Sequence, residues 1–178
     1  MLWPARVGVQ GAVQLVTDDD AAWLRRHVKQ WGPDVANDPD DREVLGAPGQ
    51  LFYELGKATA AVSYLLHGGE QHPLLSFLDD EALGEKTLHE FTYGPGRLFP
   101  SSFITQLKAA MDATLDEEVE RRSRAPALRQ VYPFHGRPLD ERDRTWVLQQ
   151  YDGLSAFLWQ AAEQVKQGAR PWLLVAFF

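Results

Sequence analysis

The apolar run near the end of the chain constrains the fold more than any other segment. Residues 172–178, which follow Pro171, read WLLVAFF without a polar interruption. Because this run lacks the alternation of a strand with one solvated face, it predicts a strand that is buried on both sides. A second strand is predicted in residues 8–16, where Gln10 and Gln14 fall on one face and valine side chains on the other. We expect the two strands to pair in one small sheet.

Helical spacing of apolar residues accounts for most of the chain between these strands. The predicted helices cover approximately 18–30, 51–66, 102–112, 115–122 and 140–167. Thr17 is the expected cap of the first helix, and Ser101 or Ser102 that of the third. Residues 33–50 predict a solvated loop, and residues 67–100 an irregular segment. The pattern indicates a mainly helical α+β fold, in a single domain spanning 1–178, with a small sheet that includes the N- and C-terminal strands.

Composition excludes several classes of function. The net charge is −7, and the 178 residues include no cysteine. An acidic chain without a basic stripe argues against nucleic-acid binding, and a chain without thiols cannot use thiolate catalysis or thiolate-bound zinc. No apolar window reaches the length of a membrane span, and the first residues do not resemble a signal peptide. We therefore expect a cytoplasmic protein with no nucleic-acid or membrane partner.

Several segments stand in an order that resembles a known family. They are residues 56–68, 73–78, 93–97 and 131–133, followed by the long helix with Leu154 and Phe157. In this order they resemble the YfbM-like family, bacterial domain of unknown function 1877. The resemblance implies a compact α+β domain, a soluble bacterial protein and no established cofactor. The sequence departs from the family at Gly56, Thr59 and Ser63, where Asp, Trp and His are typical.

A glycine-rich segment with a lone arginine is the first candidate for a binding site. Main-chain N–H groups exposed by its glycines, together with the arginine and the start of the next helix, could hold a carboxylate or a phosphate. The alternative is a structural turn whose arginine pairs with Asp79, Asp80 or Glu81. The ligand-binding candidates are Tyr93, Gly94, Gly96, Arg97, His67 and Tyr132.

Metal and catalytic patterns are weaker. His67, His72 and His89 lie near glutamates but lack the spacing that places two ligands on one helix face, so we expect no metal and no cofactor. Residues 37–41 are acidic but lack the glycine and glutamate positions of a calcium loop. No serine carries a nucleophile motif. These absences favour a protein that is not an enzyme.

The leading hypothesis is therefore a non-enzymatic domain that binds another protein, of an immunity or regulatory type, through acidic groups that meet a basic partner. Trp159 lies off the apolar stripe of the last helix, so we expect it to be exposed and to mark a partner surface. A homodimer through that helix is a further possibility. The alternative function is a small-molecule or anion-binding enzyme with its pocket at the segment from Tyr93 to Arg97.

Overall fold

A five-stranded antiparallel sheet forms the centre of the part of the chain that the structure describes. The structure is a computed structural model, and it describes residues 10–27, 44–91 and 94–177. The strands are β1 (Gly11–Val16), β2 (Phe52–Gly56), β3 (Glu85–Phe91), β4 (Gly94–Phe99) and β5 (Trp172–Phe177). Their order is β2-β1-β5-β4-β3, so the first and last strands are central neighbours. The predicted pairing of the two terminal strands is confirmed.

The α-helices that accompany the sheet lie close to the predicted segments. They are α1 (Asp18–Arg26), α2 (Thr59–His67), α3 (Ser101–Asp112), α4 (Asp116–Ser123) and α5 (Glu141–Lys166), with a short 3-10 helix at Pro126–Gln130. Thr17 caps α1 in a reciprocal box with Asp20, as its hydroxyl and the acidic first turn predict. No helix of the described ranges is long and apolar enough to cross a membrane. The α+β class is confirmed.

Both faces of the sheet are covered. Val13 and Leu15 of β1 face the larger apolar cluster, which side chains of α2, α3 and α5 complete. Val16 faces a smaller cluster to which α1 contributes. The predicted polar face of β1 is also covered, because Gln14 is fully buried. Its amide donates to the Val44 carbonyl at 2.7 Å and accepts from the Gly46 N–H at 2.7 Å. The segment beginning at Val44 therefore satisfies a buried glutamine.

The predicted helix over 51–66 is wrong in its first part. Residues 52–56 form β2, which pairs with β1, and α2 begins only at Thr59. Gly56 has a φ of 54°, a left-handed conformation that ends the strand and turns the chain toward the helix. The apolar spacing from Leu51 onward fits either element over so short a distance, and strand pairing decides between them. Gly68, with a φ of 69°, ends α2 as predicted.

The predicted irregular segment 67–100 is wrong in its second part. β3 and β4 form an antiparallel pair there, and Gly94 to Arg97 belong to β4 rather than to a tight turn. Gly96 lies against the ring of Phe91 and the side chain of Leu174, so its small size serves packing. The cap of α3 is Pro100, and Ser101 is already its first residue. α1 ends at Arg26, and His27 is its C-cap in an extended conformation; residues 28–30 of its predicted extent and most of the predicted loop lie outside the described residues.

Arg122 on α4 closes the carboxyl end of α2. Its Nη1 donates to the carbonyls of Leu65 and Leu66 at 2.8 and 2.6 Å, and its Nε donates to Glu118 at 2.7 Å. The last carbonyls of a helix lack partners within the helix, so a cation there satisfies them. We expect Arg122→Met to lower the free energy of unfolding by about 1.5 kcal/mol, measured by urea denaturation.

The neighbouring residue supplies the control for this prediction. Arg121 pairs with the same glutamate, but its side chain is 70% exposed. We expect Arg121→Met to change the stability by less than about 0.5 kcal/mol, because exposed ion pairs contribute little. Equal losses in the two variants would contradict the capping role of Arg122.

Candidate functional site

An open cleft of about 410 Å³ lies between α3 and α5. Its lining residues are Lys108, Asp152, Ser155, Ala156, Trp159 and Gln160. All but the lysine come from α5, at the spacing of three, four and seven residues that places side chains on one helix face. The small residues in the middle leave the space, and the larger ones border it.

Trp159 is the dominant apolar group of this cleft. This residue is 58% exposed, which confirms the prediction that it lies off the buried stripe. Asp152 stands two helical turns earlier, and Ser155 and Ala156 lie between them. An aromatic face and a carboxylate, separated by a floor of small side chains, are the groups that hold a lysine or arginine side chain.

Asp152 is the carboxylate that lines the cleft. Burial raises the pKa of Tyr151 on α5, and the charges of Asp116, Asp152 and Asp112 raise it further, against an opposing effect of Arg122. The three carboxylates therefore all act on Tyr151, the residue that precedes Asp152 on α5. Lys108 is engaged by an ion pair with Asp112, four residues along α3. Asp152 is therefore the charged group of the cleft that no ion pair among the described residues neutralises.

A second open cleft, of about 350 Å³, lies where the end of β2 meets the first half of α5. The side chains and turn that line it are Gln10, Glu54, Leu55, Gly56, Lys57, Trp146 and Gln150. Gly56 is one of the positions at which the sequence departs from the YfbM-like pattern. Its left-handed turn brings a carboxylate and an ammonium group to the same opening.

Arg97, the central residue of the sequence-predicted site, is buried. Its guanidinium donates to the carbonyls of Leu78 and Asp80 at 3.0 and 2.5 Å. Burial lowers its pKa to about 10, against the opposing charges of Asp79, Glu81 and Asp80. The arginine therefore stays charged at neutral pH. The interpretation of Arg97 as a structural residue placed it correctly beside the segment 79–81. The groups that accept its hydrogen bonds, however, are main-chain carbonyls rather than carboxylates.

His67 reaches the same segment from the end of α2. Its Nε2 lies 3.0 Å from Asp79 Oδ2 and 3.1 Å from Ser63 Oγ, and its Nδ1 accepts the Gly69 N–H at 3.1 Å. Because Nδ1 accepts, the neutral ring carries its proton on Nε2, where it faces the serine and the aspartate together. A catalytic triad needs the two partners on opposite nitrogens. This arrangement therefore orients the ring and does not activate Ser63.

The other predicted ligand-binding residues lie in different settings. Tyr93 lies outside the described residues. Gly94 begins β4 with a φ of 120°. Tyr132 lies in the turn before α5, where the centroid of its ring is 5.2 Å from that of the His135 ring. The structure brings His67 and Arg97 together on the segment 78–80. A ligand-binding role for these residues stays a prediction.

The remaining histidines have local contacts. His72 Nδ1 accepts the N–H groups of Leu74 and Leu75, each at 3.1 Å, and the ring of His89 contacts those of Trp23 and Phe91. Within the described ranges, no group of three or more histidine and acidic side chains is placed to hold a metal ion. The acidic residues 37–41 lie outside those ranges.

Sequence reasoning found Trp159 but missed the groups around it. Asp152, Ser155 and Ala156 share the spacing of one helix face, and small residues between an acidic and an aromatic residue are a signal that could have indicated a cleft. The second cleft combines Gln10, just before β1, with residues at and after the end of β2 and residues of α5. These residues come together because β1 pairs with β2. The sequence analysis did not predict this pairing, since it assigned residues 51–56 to a helix.

The fold and its surface define a single α+β domain, built on an antiparallel sheet with helices on both faces and an open cleft along α5 that exposes Trp159 and Asp152. The family model described as Domain of unknown function (DUF1877) matches residues 7–168. The chain belongs to this family, and its resemblance to the YfbM-like proteins is compatible with that membership. No curated protein and no solved structure matches the chain.

Proposed function

We propose that this chain is a non-enzymatic, protein-binding domain of the bacterial cytoplasm, of a regulatory or immunity type. Its partner inserts a lysine or arginine side chain into the cleft between α3 and α5. The observation that carries the proposal is the exposed ring of Trp159, which shares a small-residue floor with the carboxylate of Asp152. A cation over the ring and beside the carboxylate gains from both groups.

The charge of the molecule supports a basic partner. The chain carries a net charge of −7, and Asp152, which lines the cleft, forms no ion pair among the described residues. Such a field accelerates encounter with a cationic surface and discourages acidic ones. Exposed tryptophans are also enriched among the side chains that dominate binding energy.

The described side chains also favour binding over catalysis. The contacts of His67 place Ser63 and Asp79 on the same nitrogen, which does not generate a nucleophile. Arg97 already donates to two carbonyls of its own chain. The alternative enzyme would have to withdraw this guanidinium from buried acceptors before it could hold an anion, at a cost in stability.

A pair of short peptides tests the cleft directly. The probes are Ac-Ala-Ala-Arg-Ala-Ala-amide and the same peptide with citrulline, which keeps the shape of arginine but lacks its charge. In a nuclear magnetic resonance titration of the full chain, we expect the arginine peptide to shift the backbone amides of α3 and α5. Trp159→Ala and Asp152→Asn should each weaken binding by roughly tenfold. Asp19→Asn, an exposed change on α1, is the matched control.

Two results would overturn the proposal. One is equal binding of the citrulline peptide, which would remove the role of charge. The other is unchanged binding by both cleft variants. A protein captured from bacterial lysate by the wild-type chain, lost with Trp159→Ala and displaced by the arginine peptide, would supply the natural partner. Capture that is insensitive to these changes would count against the cleft as the interface.

A further inference from the structure

The cleft at the end of β2 carries two opposite charges that the fold does not use. Glu54 and Lys57 are exposed and line the same opening. Within the described residues, neither forms an ion pair or a side-chain hydrogen bond. Charges that border a cleft without pairing are available to a ligand that carries both signs.

The amide of Gln150 is held in a fixed orientation at this cleft. The Tyr53 hydroxyl lies 3.0 Å from Gln150 Oε1 and 3.2 Å from the main-chain carbonyl of the same residue. Burial, with the charge of Asp152, raises the pKa of Tyr53, so the phenol retains the proton that it donates. With its oxygen engaged as an acceptor, the glutamine is left with its NH₂ group as a donor.

Gly153 makes the position of Tyr53 possible. A Cβ at this position would lie 2.1 Å from the Tyr53 hydroxyl oxygen, so only glycine allows the phenol to lie against α5. The orientation of Gln150 therefore depends on a close contact between β2 and α5 that is built into the fold. Trp146, one turn before Gln150, adds a half-buried indole that packs edge-on against Phe134, with 6.4 Å between the ring centroids.

We propose that this cleft binds a small zwitterion of the free α-amino acid class. Glu54 receives the ammonium group, Lys57 and the Gln150 amide receive the carboxylate, and the indole of Trp146 contacts the side chain of the ligand. The volume of about 350 Å³ suits a ligand of this size. This site is separate from the α3–α5 cleft and does not depend on the protein-binding role.

Three related compounds test the charge requirement. L-Leucine carries both charges, N-acetyl-L-leucine only the negative one and L-leucinamide only the positive one. The readout is the indole N–H resonance of Trp146 in the full chain, assigned through Trp146→Phe. We expect leucine to shift this resonance at millimolar concentration and each derivative to bind roughly tenfold more weakly.

Variants identify the groups responsible. Glu54→Gln and Lys57→Gln should each weaken leucine binding by roughly tenfold, and both sites are exposed, so the fold is retained. Glu117→Gln and Lys86→Gln make the same chemical changes at exposed sites that do not line the cleft. Trp159→Ala should leave leucine binding unchanged, which separates this site from the α3–α5 cleft. Equal binding of the three compounds, equal losses in the control variants, or no shift with leucine would overturn the proposal.

Discussion

Replacing Arg97 with methionine is expected to lower the free energy of unfolding by about 3 kcal/mol. The guanidinium is buried and donates to the carbonyls of Leu78 and Asp80. Methionine fills similar space but leaves both carbonyls without their donor, and it removes the cation that faces the carboxylates of the same segment. The cost of unsatisfied buried acceptors exceeds the gain from an apolar side chain.

Urea denaturation at neutral pH measures this loss of stability. Two further variants show whether it comes from the hydrogen bonds of Arg97. Arg97→Lys keeps the charge but not the forked geometry that reaches both carbonyls, so it should fall between the wild type and the methionine variant. Arg129→Met makes the same change at an exposed residue of the 3-10 helix and should alter the stability by less than about 0.5 kcal/mol. A loss at Arg97 no larger than at Arg129 would show that the carbonyl contacts do not stabilise the fold.

Gly153→Ala is expected to destabilise the protein by about 2 kcal/mol, although alanine is the better helix former. The residue lies inside α5, where exchange of glycine for alanine ordinarily stabilises by up to about 1 kcal/mol. Here the new methyl group would overlap the Tyr53 hydroxyl oxygen at 2.1 Å and the ring behind it. The phenol would have to leave its place and give up its hydrogen bond to Gln150.

A double-mutant cycle separates the steric overlap with Tyr53 from the helix preference for alanine over glycine. In a Tyr53→Ala background the overlap is gone, so the same Gly153→Ala change should stabilise by up to about 1 kcal/mol. The sign of the effect of alanine therefore reverses between the two backgrounds. Thermal or urea denaturation of the four proteins measures the cycle. Destabilisation in both backgrounds would contradict the steric explanation.

The sequence was most informative where local and long-range preferences agree. The Thr17 hydroxyl and the acidic first turn predicted the start of α1, and the regular spacing along 140–167 predicted α5. The apolar run at residues 172–177 needs both faces of its strand to be buried, and the centre of a covered sheet provides this. β2, β3 and β4 were missed because their identity depends on partners distant in sequence, and Gly94, Pro95 and Gly96 resemble a turn when considered locally.

The features of the candidate sites that are local in sequence could be predicted, and those that depend on distant residues could not. Trp159 was predicted to be exposed from helical periodicity alone, because its position relative to the stripe is a local property. The environment of Arg97 was only partly predictable: charge suggested the segment at 79–81, but the carbonyls that accept its hydrogen bonds carry no signal in the side-chain sequence. The clefts combine several elements, so they become visible only when the sheet order is known.

The position of β5 has a consequence for the order in which this protein folds. β5 pairs with β1 on one side and with β4 on the other. During synthesis, the β1–β2 and β3–β4 pairs are available long before β5 leaves the ribosome, so β1 and β4 each keep open the edge that β5 will occupy. The cooperative core closes only after the last of these strands arrives. In the interval the nascent chain carries these two open edges, and we expect it to depend on chaperones to avoid intermolecular strand pairing.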